Sequence, residues 1–211
     1  MFGWTRAQAP QRMAESTAAW DGGVMTTRGL LAGTRVATSM GWRAVDALAA
    51  GDMVLTFDAG LQPLVEVRRD IFWTADAPVP ATYHSVFVPA GALGNSADLE
   101  LLPDQGVLVE SDAACDAYGD PFAVLSAKSL DGYRGIRRVS PRTQIEIVTL
   151  VFAAEQVVYA EGGALVHCPR PMLGLDELGA PIVGYDVIPP RDAAFLVECM
   201  KLEASQYHSC R

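Results

Sequence analysis

Apolar and polar residues along this chain alternate mostly in short runs. Each run is bounded by Gly, Pro, Asn or Asp, the pattern of strands joined by tight turns. The first begins at Thr34: Thr34-Arg35-Val36-Ala37-Thr38 alternates, Ser39-Met40-Gly41 turns, and Trp42-Arg43-Ala44-Val45 returns. Gly41 supplies the positive φ that a short hairpin needs. Asp46 is placed to cap one helical turn through Leu48, which Gly51 ends. Met53-Val54-Leu55-Thr56-Phe57 follows as a mostly apolar strand. Residues 61–73 then alternate for long enough to bend and serve two sheets.

Beyond a Pro-containing loop at 76–80, residues 85–89, 99–102 and 106–110 read as strands. The turn-rich link Gly91-Ala92-Leu93-Gly94-Asn95 and the Pro103-Asp104 corner separate them. Residues 122–130 suit either a strand or a short helix, and 132–135 turn. The clearest β run is 145–152, rich in β-branched residues. Residues 156–159 are expected to pair with it, and 164–166 close the series. Prolines at 169, 171, 181, 189 and 190 then mark an extended connection. Residues 192–204 have helical spacing, with Phe195, Leu196, Cys199, Met200 and Leu202 on the side expected to pack on the β body and Asp192 as cap. Residues 1–28 lack periodicity and read as a flexible or loosely docked arm. The expected organisation is therefore an arm at 1–28, an all-β domain at 29–168, and a Pro-rich connection with a short C-terminal helix at 169–211.

Composition narrows the function classes. The 211 residues are 50% hydrophobic and 19% charged, enough to bury a substantial core. The formal net charge of -9 argues against nucleic acid and anionic membrane surfaces as partners. No apolar run is long enough to span a bilayer, and the first 29 residues hold no secretory signal pattern. Cytoplasmic residence, or export by a route this segment does not encode, is the expectation. Cys115, Cys168, Cys199 and Cys210 form no CxxC pair and read as reduced thiols. His167-Cys168 and His208 with Cys210 are the close His/Cys pairs, and neither makes a metal set. No metal and no cofactor are expected.

Three blocks carry a resemblance. The first is Gly33-Thr34-x-Val36-x-Thr38, then Gly41-Trp42, then Val45-x2-Leu48-x2-Gly51-Asp52-x-Val54-Leu55-Thr56, followed by Asp58-x-Gly60-x-Gln62-Pro63-Leu64. The second runs from Val88-Pro89-Ala90-Gly91-Ala92-Leu93-Gly94-Asn95 into Leu99-x-Leu101-Leu102-Pro103-Asp104-Gln105-Gly106-Val107-Leu108-Val109. The third is Gln156-Val157-Val158-Tyr159-Ala160-Glu161-Gly162. Together and in this order they resemble bacterial Hint domains, the hedgehog/intein module, over residues 29–168. The resemblance implies a horseshoe of curved β-strands with pseudo-twofold subdomains.

It also implies autoprocessing. In that chemistry a Cys or Ser at the start of the domain attacks the preceding carbonyl, and a histidine in the second block protonates the departing amide nitrogen. Carried over residue by residue, the nucleophile position falls on Gly29 and the second-block histidine on Gln105. A late-strand histidine of many relatives falls near Gln156. Glycine offers no nucleophile, and an amide hydrogen-bonds without titrating. Thr26 or Thr27 is the nearest replacement nucleophile. Cys115 reads as a buried or loop thiol, and His84, ahead of a strand, as a surface or hydrogen-bonding histidine. The remaining candidate surface is a binding cleft where Gly29, Asp104 and Gln105 converge, with Thr34 and Thr38 on the adjoining strand. Three readings follow: a Hint-fold module that binds a protein or peptide partner without cleaving itself, an autoprocessing domain with atypical residues, and an unrelated β-rich enzyme or accessory protein. The sequence leaves the oligomeric state open.

Overall fold

The computed structural model describes residues 19–20, 23–24, 27–73, 81–140, 144–170, 184–185 and 187–209. Within the stretch read as an arm, β1 (Ala19–Trp20) and β2 (Gly23–Val24) form an antiparallel pair of their own. The body is built from β3 (Leu30–Leu31), β4 (Arg35–Thr38), β5 (Gly41–Ala44), β6 (Met53–Thr56), β7 (Gly60–Pro63), β8 (Glu66–Trp73), β9 (Ser85–Val88), β10 (Leu99–Leu101) and β11 (Gly106–Glu110). After these come α1 (Asp112–Tyr118), β12 (Phe122–Ser126), β13 (Arg137–Val139), β14 (Gln144–Val151), β15 (Gln156–Ala160), β16 (Ala164–Cys168) and α2 (Pro190–Ser209). The mostly β class expected from the sequence is what these elements make.

Two sheets carry the body. The six-stranded sheet runs β13-β9-β10-β3-β14-β8. The eight-stranded sheet runs β12-β11-β16-β15-β4-β6-β7, with β5 paired to β4. One apolar core joins them: Val36, Val54, Leu125, Val158 and Val166 from the larger sheet meet Val86, Leu101 and Val148 from the smaller. Alternation places these side chains on one face of each strand, which is why the period-two pattern was readable.

Gly41 takes φ 91° at the β4–β5 hairpin, as the turn requires. The long alternating stretch does serve both sheets, but as two strands: β7 belongs to the larger sheet and β8 to the smaller. The switch falls at Leu64, whose amide donates to Asp52 O at 2.9 Å while its carbonyl accepts from Gly51 N at 2.8 Å. Residues 122–130 supply both expected states in succession, β12 and then a 3-10 turn at Ala127–Leu130.

Several expectations need correction. Asp46 caps no helical turn, because its carboxylate accepts from Gly33 N at 2.7 Å instead. β15 does not pair with β14. The chain crosses to the other sheet between them, and β15 pairs with β16, β4 and β6. α1 and β13 had no counterpart in the pattern. α1 starts at Ser111, whose side chain accepts from Ala113 N, and stops at Gly119. Cys115 therefore lies exposed on a helix, neither buried nor in a loop. α2 spans 20 residues and begins at Pro190, a residue suited to the first helical position, so Asp192 sits inside the first turn rather than capping it. Its buried stripe is Ala193, Leu196, Val197 and Met200. Phe195 and Leu202 lie off that stripe and face solvent at 68% and 64% exposure. Glu203 fastens α2 to α1 by accepting from Ala113 N at 3.0 Å and Ser111 Oγ at 3.2 Å. Among the described residues, no helix is long and apolar enough to cross a membrane.

Candidate functional site

The chain enters the body through Thr27, Arg28 and Gly29, just before β3. Opposite them lies the Pro103-Asp104-Gln105 corner that opens β11. The corner is held from behind by the 3-10 turn after β12: Ala127 N donates to Gln105 O at 2.8 Å, and Lys128 N to Pro103 O at 3.0 Å. The corner is thus a rigid ledge whose two polar side chains face the incoming chain.

Gln105 is 3% exposed and meets three backbone groups. Its Oε1 accepts from Gly29 N at 2.8 Å. Its Nε2 donates to His167 O at 2.7 Å and to Gly106 O at 3.1 Å. The glutamine therefore stitches the start of β3 to β11 and β16. Gly29 adopts φ 124°, and a Cβ there would lie 2.6 Å from Ile147 Cγ2. Its lack of a side chain is required by the packing of β14.

Asp104 closes the other half of the site. It accepts from Thr27 Oγ1, and its amide donates to Thr27 O at 3.2 Å. Lys128 Nζ lies 2.5 Å from its Oδ1. Burial opposes ionisation of Asp104, but hydrogen bonds from Lys128 and Thr27, with the positive charges of Lys128 and Arg28, outweigh it. The carboxyl group is held below its ordinary value. As pH falls, the unfolded chain takes up this proton first, near about 3.9. The stability from Asp104 is therefore present at neutral pH and lost as pH falls through the folded-state value. Lys128→Met is expected to move the Asp104 titration upward, read by carboxyl NMR. An unmoved titration would show that Lys128 does not hold the charge.

Behind Gln105 sits a second polar pair. His167 on β16 is 4% exposed, and its Nε2 meets Glu155 Oε1. The other Glu155 oxygen accepts from Tyr185 N at 2.9 Å. Burial holds the imidazole below its ordinary value despite the neighbouring Glu155. Cys168 next to it is buried, and burial pushes its thiol up to about 12, so it is no nucleophile at neutral pH. Gln156 lies across from Cys168 in the β15–β16 ladder.

The structure thus brings Gly29, Asp104 and Gln105 together, with Thr27 beside them, and sets Gln156 on the strand behind. Thr34 and Thr38 do not join this group. The Thr38 hydroxyl donates to Gly41 O at 2.7 Å and accepts from Met40 N at 3.1 Å within its own hairpin. Thr34 lines a separate cavity between the sheets. His84 precedes β9 and is half-buried. Sequence reasoning missed Lys128, Glu155 and Tyr185, which reach the site through contacts at long sequence separation and carry no local signal. Among the described residues no group of three or more His, Cys, Asp or Glu is placed to hold a metal ion.

A family model described as the Hint domain matches residues 28–165. The chain belongs to the Hint domain family. No curated protein matches it significantly. Among solved structures it is similar to a bacterial intein-like domain from Clostridium thermocellum, with TM-score 0.49 and 14% identity over 67% of this chain and 99% of that one. It is also similar to the splice-inactive AceL NrdHF class 3 split intein, with TM-score 0.42 and 18% identity over 68% and 99%. The N145AA form of the MchDnaB-1 intein gives TM-score 0.43 and 13% identity over 65% and 98%.

Proposed function

We propose that this chain is a Hint domain that does not cleave itself and that serves as a binding or structural module. One observation carries the reading: Gly29, the position the sequence resemblance assigns to the nucleophile, has no side chain and no room for one. Its amide is engaged by Gln105, a group that cannot shuttle a proton. The site's polar atoms are spent on holding β3, β11 and β16 together.

The Thr27 hydroxyl favours a second reading, autoprocessing with an atypical nucleophile, because it sits on Asp104. There Thr27 Oγ1 would attack the carbonyl carbon of Thr26, the Thr27 nitrogen would leave as an amine after gaining the hydroxyl proton, and water would hydrolyse the resulting ester. Asp104 works against this step. A carboxylate paired with Lys128 and held below its ordinary value is a poor proton acceptor at neutral pH.

Intact mass separates the readings. The expressed chain is expected to retain its full 22.5 kDa after prolonged incubation, with and without hydroxylamine. A product beginning at Thr27 would establish the second reading, and one beginning near Gly29 would overturn the argument from packing.

A further inference from the structure

A cavity of about 370 Å³ opens where the two sheets diverge, away from Gln105. Leu31, Leu99 and Ile145 supply its apolar lining. Its polar lining is one-sided in charge: Asp98, Glu100, Glu146 and Glu161 are acidic, and no lining residue is basic. Glu161 is already matched, since it accepts from Arg35 N at 2.6 Å and from the Arg35 guanidinium at 3.1 Å. Asp98 receives one backbone donor, Ala90 N at 2.9 Å. No described residue hydrogen-bonds or pairs with the Glu146 carboxylate.

An independent feature lies on the same wall. Thr34 is 7% exposed, yet its hydroxyl has no hydrogen-bond partner among the described residues. Its backbone is fully engaged: the amide donates to Leu31 O at 3.0 Å and the carbonyl accepts from Val45 N at 2.8 Å. Because Thr34 lines the cavity and its hydroxyl is not sealed in the core, the unpaired oxygen is open to an N–H donor of an occupant.

We propose that this cavity binds a primary alkylammonium group: a cationic head that the carboxylates and the Thr34 hydroxyl receive, on an aliphatic stem that lies against Leu31 and Leu99. The carboxylates line a common space without forming a metal-binding cluster. Such spacing suits an organic cation with several N–H donors better than a bare metal ion. The volume lies near the lower end of ligand cavities, so the occupant is a small polyamine or one lysine side chain of a peptide rather than a folded surface. The inference stands whether or not the chain cleaves itself.

The test is calorimetric titration of the full chain with spermidine and, separately, with a capped tetralysine peptide. Saturable one-to-one binding of at least one is expected, and the tighter of the two identifies the source of the ammonium group. Glu146→Gln should weaken binding about tenfold, as loss of a charge-assisted contact does, and Thr34→Val about threefold. Asp98→Asn provides a third probe should either variant fail to fold. Asp116→Asn, an equal charge change on α1 outside the cavity, should leave binding unchanged. Absence of saturable binding by both probes would overturn the proposal. So would equal weakening by Asp116→Asn, which would mark simple attraction to an acidic surface.

Discussion

Gly29→Cys will destabilise the fold and leave the chain uncleaved. The backbone at this position has φ 124°, which L-residues rarely adopt. A Cβ placed on it would meet Ile147 Cγ2 at 2.6 Å, Thr149 Oγ1 at 3.3 Å and the Val148 carbonyl at 3.4 Å. These neighbours have little room to yield, because Ile147 and Val148 are 3% and 0% exposed and pair with β3 through Leu31 and Leu30. Backbone strain of about 1–3 kcal/mol and overpacking of about 1–3 kcal/mol together give an expected loss of about 2–5 kcal/mol. Against a total of about 5–15 kcal/mol for an ordinary domain, that is a large fraction. Urea unfolding measures it, and Gly29→Ala should show a similar loss because the cost lies in the Cβ rather than the sulfur. Adding Ile147→Leu should recover part of it, because leucine has no branch at Cβ and so lacks the Cγ2 methyl at the contact. An unchanged unfolding midpoint in Gly29→Ala would show that the strand ends shift freely, and a reinstalled nucleophile would then be admissible.

The same residues show what the sequence could and could not convey. Alternation announced β4, while β6, β9 and β11 were legible as short apolar runs bounded by turn residues. The switch of 61–73 between sheets was legible because no single flat strand of that length suits a twisted body. The partner of β15 was not. Two neighbouring apolar strands invite a hairpin, but the short link at 152–155 carries the chain from one sheet to the other, and only the packed structure shows it. α1 was missed because seven residues rich in Ala and Asp carry little apolar periodicity; only Ser111 and Gly119 marked its ends. At the site, the family pattern pointed to Gly29, Asp104 and Gln105, and these do converge. The pattern carried no information about Lys128, Glu155 or Tyr185, because pairing across tens of residues leaves no local trace in a single sequence.

Gln105→Leu will cost nearly as much as the change at Gly29, by a different route. A neutral amide is the only side chain of this size that presents an acceptor and two donors together. Gln105 uses both ends: Gly29 N–H needs the acceptor, and the carbonyls of His167 and Gly106 take the donors. Leucine fills similar space but strands these groups in a region that is 3% exposed at residue 105. Each buried polar group left unpaired costs about 1–3 kcal/mol, so the expected loss is about 2–5 kcal/mol. Gln105→Glu should be comparably damaging at neutral pH, since it gives up both donors and turns a carboxylate oxygen toward the His167 carbonyl. Gln105→His, which would supply a titratable group, cannot restore the network, because a neutral imidazole has one donor and one acceptor for three partners. Urea midpoints of the three variants report the cost, and hydrogen exchange at the Gly29 amide locates it. Protection at that amide should fall in Gln105→Leu by more than global destabilisation accounts for, because its acceptor has gone. If exchange there follows only the global change and the midpoint moves by less than about 0.5 kcal/mol, as for an ordinary surface substitution, then Gln105 is not what holds β3 to the ledge.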